Sequence, residues 1–516
     1  MESVYLGIDQ GSSSTKALVL SESGRALYEC SIPVQLLRQE AEHVEQDAEQ
    51  LLSSVMQAMQ QLLDYCAAHA LRAQGFGLAC QRSGVLAFEK GSGRALSPLL
   101  TWRDRSAQPV IDALSAESKA RLHEISSLPI IPDYAGAKIA LLQQRYPEAL
   151  VGTLDSFLLY RLSAGKCFVS DDSMAARSML YDLRAGDWSA EACALLTVER
   201  HRLPQIIPSC FPATDSILSY LGVPLTACLG DAQASFYASY VQGASAVLNL
   251  GTLGSLCFGL QAGQSFPEGC ISSVWLSEHD ATQTKRRRSF FAEIIHFSCG
   301  SLLQELGSRL QEDGSAYSLR ALSGLADSAS AEIPVWFYAP RGEATPAWQL
   351  RLPTIISRQE RLSKSAAARI YFENIAFALA LAYQHLRGQG VTIERLLALG
   401  GASVCQPILR WFAQITRVSV ICSEPQVGAT QALTQGSAWG AALAARYGMS
   451  VLQEGAQKLP APVPDPASFE PLETRAEAAV AERFALWCAL RQQALTGVGR
   501  YAELPAEQRS GSIVLK

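Results

Sequence analysis

The stretch that decides the fold is "YLGIDQGSSSTKALVL", residues 5–20. An apolar run carries one acid, Asp9, passes through Gly11, Ser12, Ser13, Ser14 and Thr15, and becomes apolar again after Lys16. The pattern predicts a strand over 4–9, a tight turn and a strand over 16–20. Taken alone this is a plain hairpin. It is also the composition of a phosphate cradle. Glycine lets backbone N–H groups approach phosphate oxygens, hydroxyls add donors, and Lys16 adds positive charge. Asp9 then stands where an acid would face the metal ion that accompanies the phosphates.

Working outward, "ALYECSIPV" supplies a third strand, and "EQDAEQLLSSVMQAMQQLLDYCAAHA" has the apolar spacing of a helix with Asp47 at its N-terminal end. "GFGLAC" follows as a short buried strand. Three strands, a helix and another strand fit a mixed α/β sheet. Residues 166–180 read as strand, turn, strand. The opening plan returns half a chain later in "AVLNLGTLGSLCFGL", again strand, glycine-and-hydroxyl turn, strand. Further on come a long helix ("KSAAARIYFENIAFALALAYQHLRGQG"), a strand running into Gly400-Gly401, a strand "VSVIC" and the small-residue helix "ALTQGSAWGAALAARYG". The expectation is two α/β lobes of similar plan with a hinge near 241–246, then a proline-rich linker and a final helix from about Glu473 to Ala494.

Paired turns, one per lobe, are harder to explain as ordinary hairpins than either alone. They suggest a nucleotide held between lobes. Neither GxxxxGK[ST] nor GxGxxG after a strand occurs, which argues against the P-loop and Rossmann alternatives. A third stretch, "CLGDAQASFYA", puts Asp231 just before the hinge. A carboxylate there is placed to take a proton from a hydroxyl attacking phosphorus. "DAQAS" also suits a helix start, and the two roles are compatible because a cap position fixes the carboxylate.

Composition sets the outer bounds. At 516 residues two large domains are expected. Hydrophobic residues are 48% and charged residues 18%, an ordinary globular balance. A net charge of −5 asks for neither nucleic acid nor an anionic membrane, and the one basic run, Lys285 to Arg288, reads as a solvated loop or hairpin tip. The 13 cysteines are scattered, without a CxxC pair, and read as reduced core thiols of a cytoplasmic protein. The 7 histidines lack HxxxH spacing, so a histidine-built zinc site is not expected. No signal peptide and no membrane-length apolar run is recognised.

With these stretches in hand, the chain resembles the FGGY family of carbohydrate kinases, the group that includes glycerol kinase, xylulokinase, gluconokinase and ribulokinase. The resemblance rests on the order and spacing of "GIDQGSSSTK", "CQRSG", "TWRDRSA", "DYAGAKIALL", "GTLDSFLLYRLSAG", "SDDSMAARSMLYDL", "GDAQAS", "NLGTLGS", "LALGGAS" and "QGSAWGAALAA". It implies two ribonuclease-H-like lobes, as in actin and hexokinase: 1–243 binding the sugar, 244–450 binding the nucleotide, and 451–516 as a linker and helix packed on the second lobe. It implies ATP with Mg2+, and Asp231 as general base. Gly11, Ser12, Ser13, Ser14 and Lys16 would surround the phosphates from one side, Gly251 and Thr252 from the other. Asp9 would orient the metal through water. Gly300, Gln304, Gly401 and Cys405 match nucleotide-contacting positions, Cys405 replacing the asparagine of the glycerol branch.

For the acceptor, the resemblance points to Arg82, Ser83, Trp102, Tyr134 and Gln233 beside Asp231. Gln81-Arg82-Ser83-Gly84 matches neither the Gln-Arg-Glu of glycerol kinases nor the Gln-Met-His-Gly of xylulokinases. Ser83 is small and neutral, which leaves room for a polyol longer than glycerol. A pentulose such as xylulose is therefore the expected acceptor and glycerol the runner-up. Each residue has a plainer reading: Trp102 as a core aromatic, Arg82 paired with Asp104, Tyr134 closing a turn after Pro132. Asp155 and Arg177 are expected to be architectural. Two other classes share the nucleotide turns, an actin-like ATPase without sugar substrate and a kinase-fold binding protein that has lost activity. Members of the family often form dimers or tetramers, so the resemblance allows a homodimer, and no feature of the sequence singles out one state.

Overall fold

The computed structural model describes residues 1–40, 42–241, 243–251, 253–261, 263–279, 286–296, 299–311, 315–339, 352–358, 361–423, 436–454, 469–471 and 478–496. The opening stretch forms β1 (Glu2–Gln10) and β2 (Ser14–Ser21), paired antiparallel with Asp9 opposite Lys16, and the Gly11 amide closes the turn on the Ser14 carbonyl at 3.1 Å. β3 (Ala26–Pro33) adds to β2. Helix α1 (Ala48–Ala68) starts where Asp47 accepts the Glu49 amide at 2.9 Å, and it buries the Leu51–Val55–Leu62 stripe on the sheet. β4 (Leu71–Cys80) returns parallel to β1. After α2 (Ala135–Arg145), β5 (Val223–Gly230) lies parallel to β4 and runs directly into α3 (Asp231–Val241). The sheet order is Ser219–Tyr220, β5, β4, β1, β2, β3.

The second lobe repeats this plan. β6 (Ala246–Leu250) and β7 (Gly254–Gly259) form the second polar hairpin. β8 (Ile271–His279) and β9 (Arg286–His296) follow, with β9 on β7. Helices α4 (Gly300–Arg309), α5 (Leu319–Ser328) and α6 (Lys364–Arg387) come next. β10 (Arg395–Leu399), α7 (Gln406–Thr416) and β11 (Ser419–Ser423) complete the parallel half, followed by α8 (Gly436–Glu454), edge strand β12 (Phe469–Pro471) and α9 (Ala478–Thr496). The order β8-β9-β7-β6-β10-β11-β12 puts four consecutively antiparallel strands beside two parallel ones, where the first lobe has three, β3, β2 and β1, beside two. α9 sits on the second lobe: Trp487 packs against Phe377 and donates to Asn374 at 2.9 Å, and Arg483 pairs with Glu373 at 2.6 Å.

Three expectations change. Helix α8 belongs to the second half of the chain but packs on the sheet of the first lobe. A Cβ on Gly7 of β1 or on Gly77 of β4 would lie 2.0 Å from a carbonyl oxygen of this helix. Residues 166–180 hold one short strand, Val169–Asp171, and then a helical turn, Asp172–Ala175, because the Asp171 carboxylate captures the amides of Ser173 and Met174. The basic run is no solvated loop in its described part. Arg286 bonds Asp172 at 2.8 Å, Arg287 pairs with Glu278, and Arg288 donates to the Leu183 carbonyl at 2.9 Å. The Arg286 and Arg288 contacts fasten the β8–β9 hairpin to the first lobe, the Arg287 pair lies within the hairpin, and Lys285 lies outside the described residues. The sequence view missed this because charge shows in a sequence and its partner does not.

Candidate active site

A cleft of about 640 Å³ opens between the lobes. Asp9 and Lys16 enter it from the first hairpin, Asn249 and Ser255 from the second, Asp231 from the start of α3, and Gly400-Gly401 from the end of β10. Strand ends and helix starts place them all, so the chemistry sits on rigid elements.

Asp231 Oδ1 accepts the Ala232 amide at 2.7 Å and faces Arg82 Nε at 3.2 Å. The cap and the ion pair use the same oxygen, and among the described residues no hydrogen bond to the other is seen. Arg82 thus pairs with Asp231 and not with Asp104, which is buried and accepts the Val44 amide at 2.8 Å. Asp9 is buried, and its Oδ1 has no hydrogen-bond partner among the described residues. Burial, and next the charge of Asp231, push its carboxyl up to about 7, against the pull of Lys16 and a bond to Ser437. Two carboxylates facing one cleft, one with an orphaned oxygen, fit a divalent cation in their donor chemistry.

Of the acceptor candidates, Arg82 lines the cleft beside Asp231, whereas Ser83, Trp102, Tyr134 and Gln233 are not among its lining residues. Trp102 is 39% exposed, which removes its reading as a core aromatic. Tyr134 is buried under the Arg177 guanidinium, 5.1 Å from ring centre to Cζ, and burial pushes its phenol up to about 12. Ser83 is buried in a left-handed conformation (φ 62°) with its hydroxyl donating to the Arg177 carbonyl at 3.3 Å. Gln233 is buried, with Oε1 lacking a partner among the described residues. A Cβ on Gly230 would lie 2.5 Å from that oxygen and 2.9 Å from Arg82 Cδ, so these three residues meet tightly.

The nucleotide candidates divide. Gly401 lines the cleft, and the Gly300 amide donates to the Gly251 carbonyl at 2.8 Å, tying the start of α4 to the second turn. Gln304 is exposed on α4. Gly11, Ser12, Ser13 and Ser14 form the hairpin tip beyond Asp9 and Lys16 and do not line the cleft. Cys405 is corrected: it is 0% exposed in the second-lobe core, its thiol directed at the Leu319 carbonyl 3.8 Å away, so its side chain does not reach a nucleotide. Thr252 lies outside the described residues.

Several residues were missed, Asn249 and Ser255 among them, and one of the missed residues carries charge. Glu293 on β9 lines the cleft and pairs with Arg177 at 3.3 Å and Arg82 at 3.8 Å, bridging the lobes. Its signal was a lone carboxylate inside the apolar run "FFAEII".

Comparison with known proteins decides the family. The N-terminal domain of the FGGY family of carbohydrate kinases matches residues 4–237, and its C-terminal domain matches 256–449. The chain belongs to the FGGY family of carbohydrate kinases. It is therefore a phosphotransferase with the two-lobed actin and hexokinase fold. It is 27% identical to a glycerol kinase of Deinococcus radiodurans, over 86% of this chain and 89% of the other. It is 26% identical to an apulose kinase of Pectobacterium atrosepticum, over 69% of this chain and 75% of the other. Among solved structures, a Plasmodium falciparum glycerol kinase crystallised with ADP superimposes with a TM-score of 0.81 at 18% identity, covering 96% of this chain and 98% of that one. Among the described residues no helix is long and apolar enough to cross a membrane.

Proposed function

We propose that this FGGY kinase transfers the γ-phosphoryl group of ATP to a terminal hydroxyl of a ketose or polyol, with a pentulose of the xylulose type as acceptor. The observation that carries it is Asp231 at the start of α3, in the same cleft as both polar hairpins, with Oδ1 facing Arg82 and capping the helix. The other oxygen takes the acceptor proton as the hydroxyl oxygen bonds to phosphorus and the bond from phosphorus to the ADP oxygen breaks. Arg82 holds the base in place. By the family resemblance, Trp102, Tyr134 and Gln233 would offer an apolar face and polar tips to a sugar. Asp9 is the residue to hold Mg2+, which when bound neutralises phosphate charge. Lys16, which lines the cleft, adds to that neutralisation.

Ser83 supports an acceptor longer than glycerol, because a small side chain stands where the glycerol branch carries glutamate. Glycerol is the second reading, favoured by the glycerol kinase similar over 86% of this chain. An actin-like ATPase shares the hairpins but needs no polar and aromatic wall beside Asp231. Turnover measured with xylulose, ribulose, gluconate, erythritol and glycerol, and without any acceptor, separates the three. Asp231→Asn should lower turnover by roughly 100-fold or more with ATP affinity little changed. Near-normal turnover removes the base assignment. The buried free thiols support a cytoplasmic setting. A homodimer remains the family-based proposal, tested by light scattering on the purified chain.

A further inference from the structure

Helix α2 carries a lysine that no charge partner explains. Lys138 is fully buried, yet among the described residues no carboxylate lies within ion-pair distance of its Nζ. Burying an ammonium costs free energy unless every N–H finds an acceptor. Here all three do: Nζ donates to the carbonyls of Thr101 at 2.7 Å, Ser83 at 2.9 Å and Asp133 at 2.9 Å. Burial pulls its amine down to about 7, while Asp133 and Asp104 pull the other way.

The three carbonyls are not a random set. One is that of Ser83, next to Arg82. One belongs to the peptide unit joining Thr101 to Trp102. One belongs to the unit joining Asp133 to Tyr134. They come from three segments far apart in the chain, each bearing one of the residues proposed above for the acceptor. Backbone anchoring of this kind fixes where a side chain starts without occupying the side chain itself.

We propose that Lys138 is a positioning residue that sets the shape of the acceptor pocket, acting as a three-way backbone clamp on the segments of Arg82–Ser83, Trp102 and Tyr134. The inference rests on the acceptor reading above and goes one step deeper: the spacing of the wall, and with it the length of acceptor taken, depends on a residue that does not touch the acceptor. The nucleotide side of the cleft is built on other elements, joined to the clamped segment where the Gln81 amide donates to the Gln10 carbonyl at 2.9 Å.

Lys138→Met, Lys138→Gln and Lys138→Arg are purified, checked for folding by circular dichroism and size-exclusion chromatography, and assayed with the best acceptor and with ATP. The expected result for a folded variant is an acceptor KM raised on the order of 10- to 100-fold, as for a pocket wall displaced by about 1 Å. KM for ATP should stay within about two-fold, since the hairpins are untouched. A folded variant whose acceptor KM is unmoved, even if it melts earlier, overturns the proposal. So does failure of all three variants to fold, because the lysine then serves the lobe and not the pocket. The wild type is assayed alongside. An inactive wild type across the acceptor panel overturns the acceptor reading itself, whereas an active one with unmoved variants removes only the clamp.

Discussion

Asp9 and Asp231 come from distant parts of the chain, yet the charge of one raises the carboxyl of the other. For Asp9 the folded value is about 7 against 3.8 when exposed. The raised value means the fold favours the protonated form. Its contribution to stability is full below about pH 4 and is lost as pH rises to about 7. Asp9→Asn removes the buried charge, so it should stabilise the protein at pH 8, by on the order of 4 kcal/mol at most, and change little at pH 4. Thermal melts at the two pH values check this, and a larger gain at pH 4 would contradict it. Activity should fall in the same variant, which is the usual relation between a strained site and the stability of the fold around it.

Among the elements, α8 shows how much was legible. Its small residues and its helical pattern were plain in "QGSAWGAALAA", and so were the glycines of "YLGID" and "GFGLAC". What was hidden was that the three belong together, because a periodic pattern names the buried face of an element and not its partner. Gly77→Ala should cost about 3 kcal/mol or more, since the new methyl meets backbone and not a flexible side chain. Gly324→Ala, in α5 with open space at its Cβ, should be neutral or stabilising by up to about 1 kcal/mol. Urea unfolding of the pair tests the assignment, and equal costs would refute it. The hairpins, Asp231 and the repeat were readable for a related reason: turns and strand ends are written locally. Glu293, Lys138 and the arginines of β9 were not, because each draws its role from partners far away in the chain.

At the scale of the whole molecule, the two lobes meet in more than a cleft. Arg177 of the first lobe and Glu293 of the second are each almost entirely buried and lie 3.3 Å apart. Arg177 also covers Tyr134, and Glu293 also faces Arg82 at 3.8 Å, so the bridge ends on two acceptor candidates. The expected architectural role of Arg177 is thus joined to the site. Removing one partner of such a pair strands a buried charge and typically costs about 3–5 kcal/mol, whereas removing both is cheaper because no charge is left behind. Glu293→Gln and Arg177→Met should therefore each destabilise by roughly that amount, and the double variant by clearly less than their sum, with a coupling of about 1–3 kcal/mol. The acceptor KM should rise in both single variants, because Tyr134 loses its cover in one and Arg82 loses a neighbour in the other. A double-mutant cycle in urea, run beside acceptor kinetics, gives both numbers. Additive stability losses would mean that the lobes are joined elsewhere, by the β8–β9 hairpin and α8 alone. Coupled losses with an unmoved acceptor KM would confine the bridge to holding the lobes together.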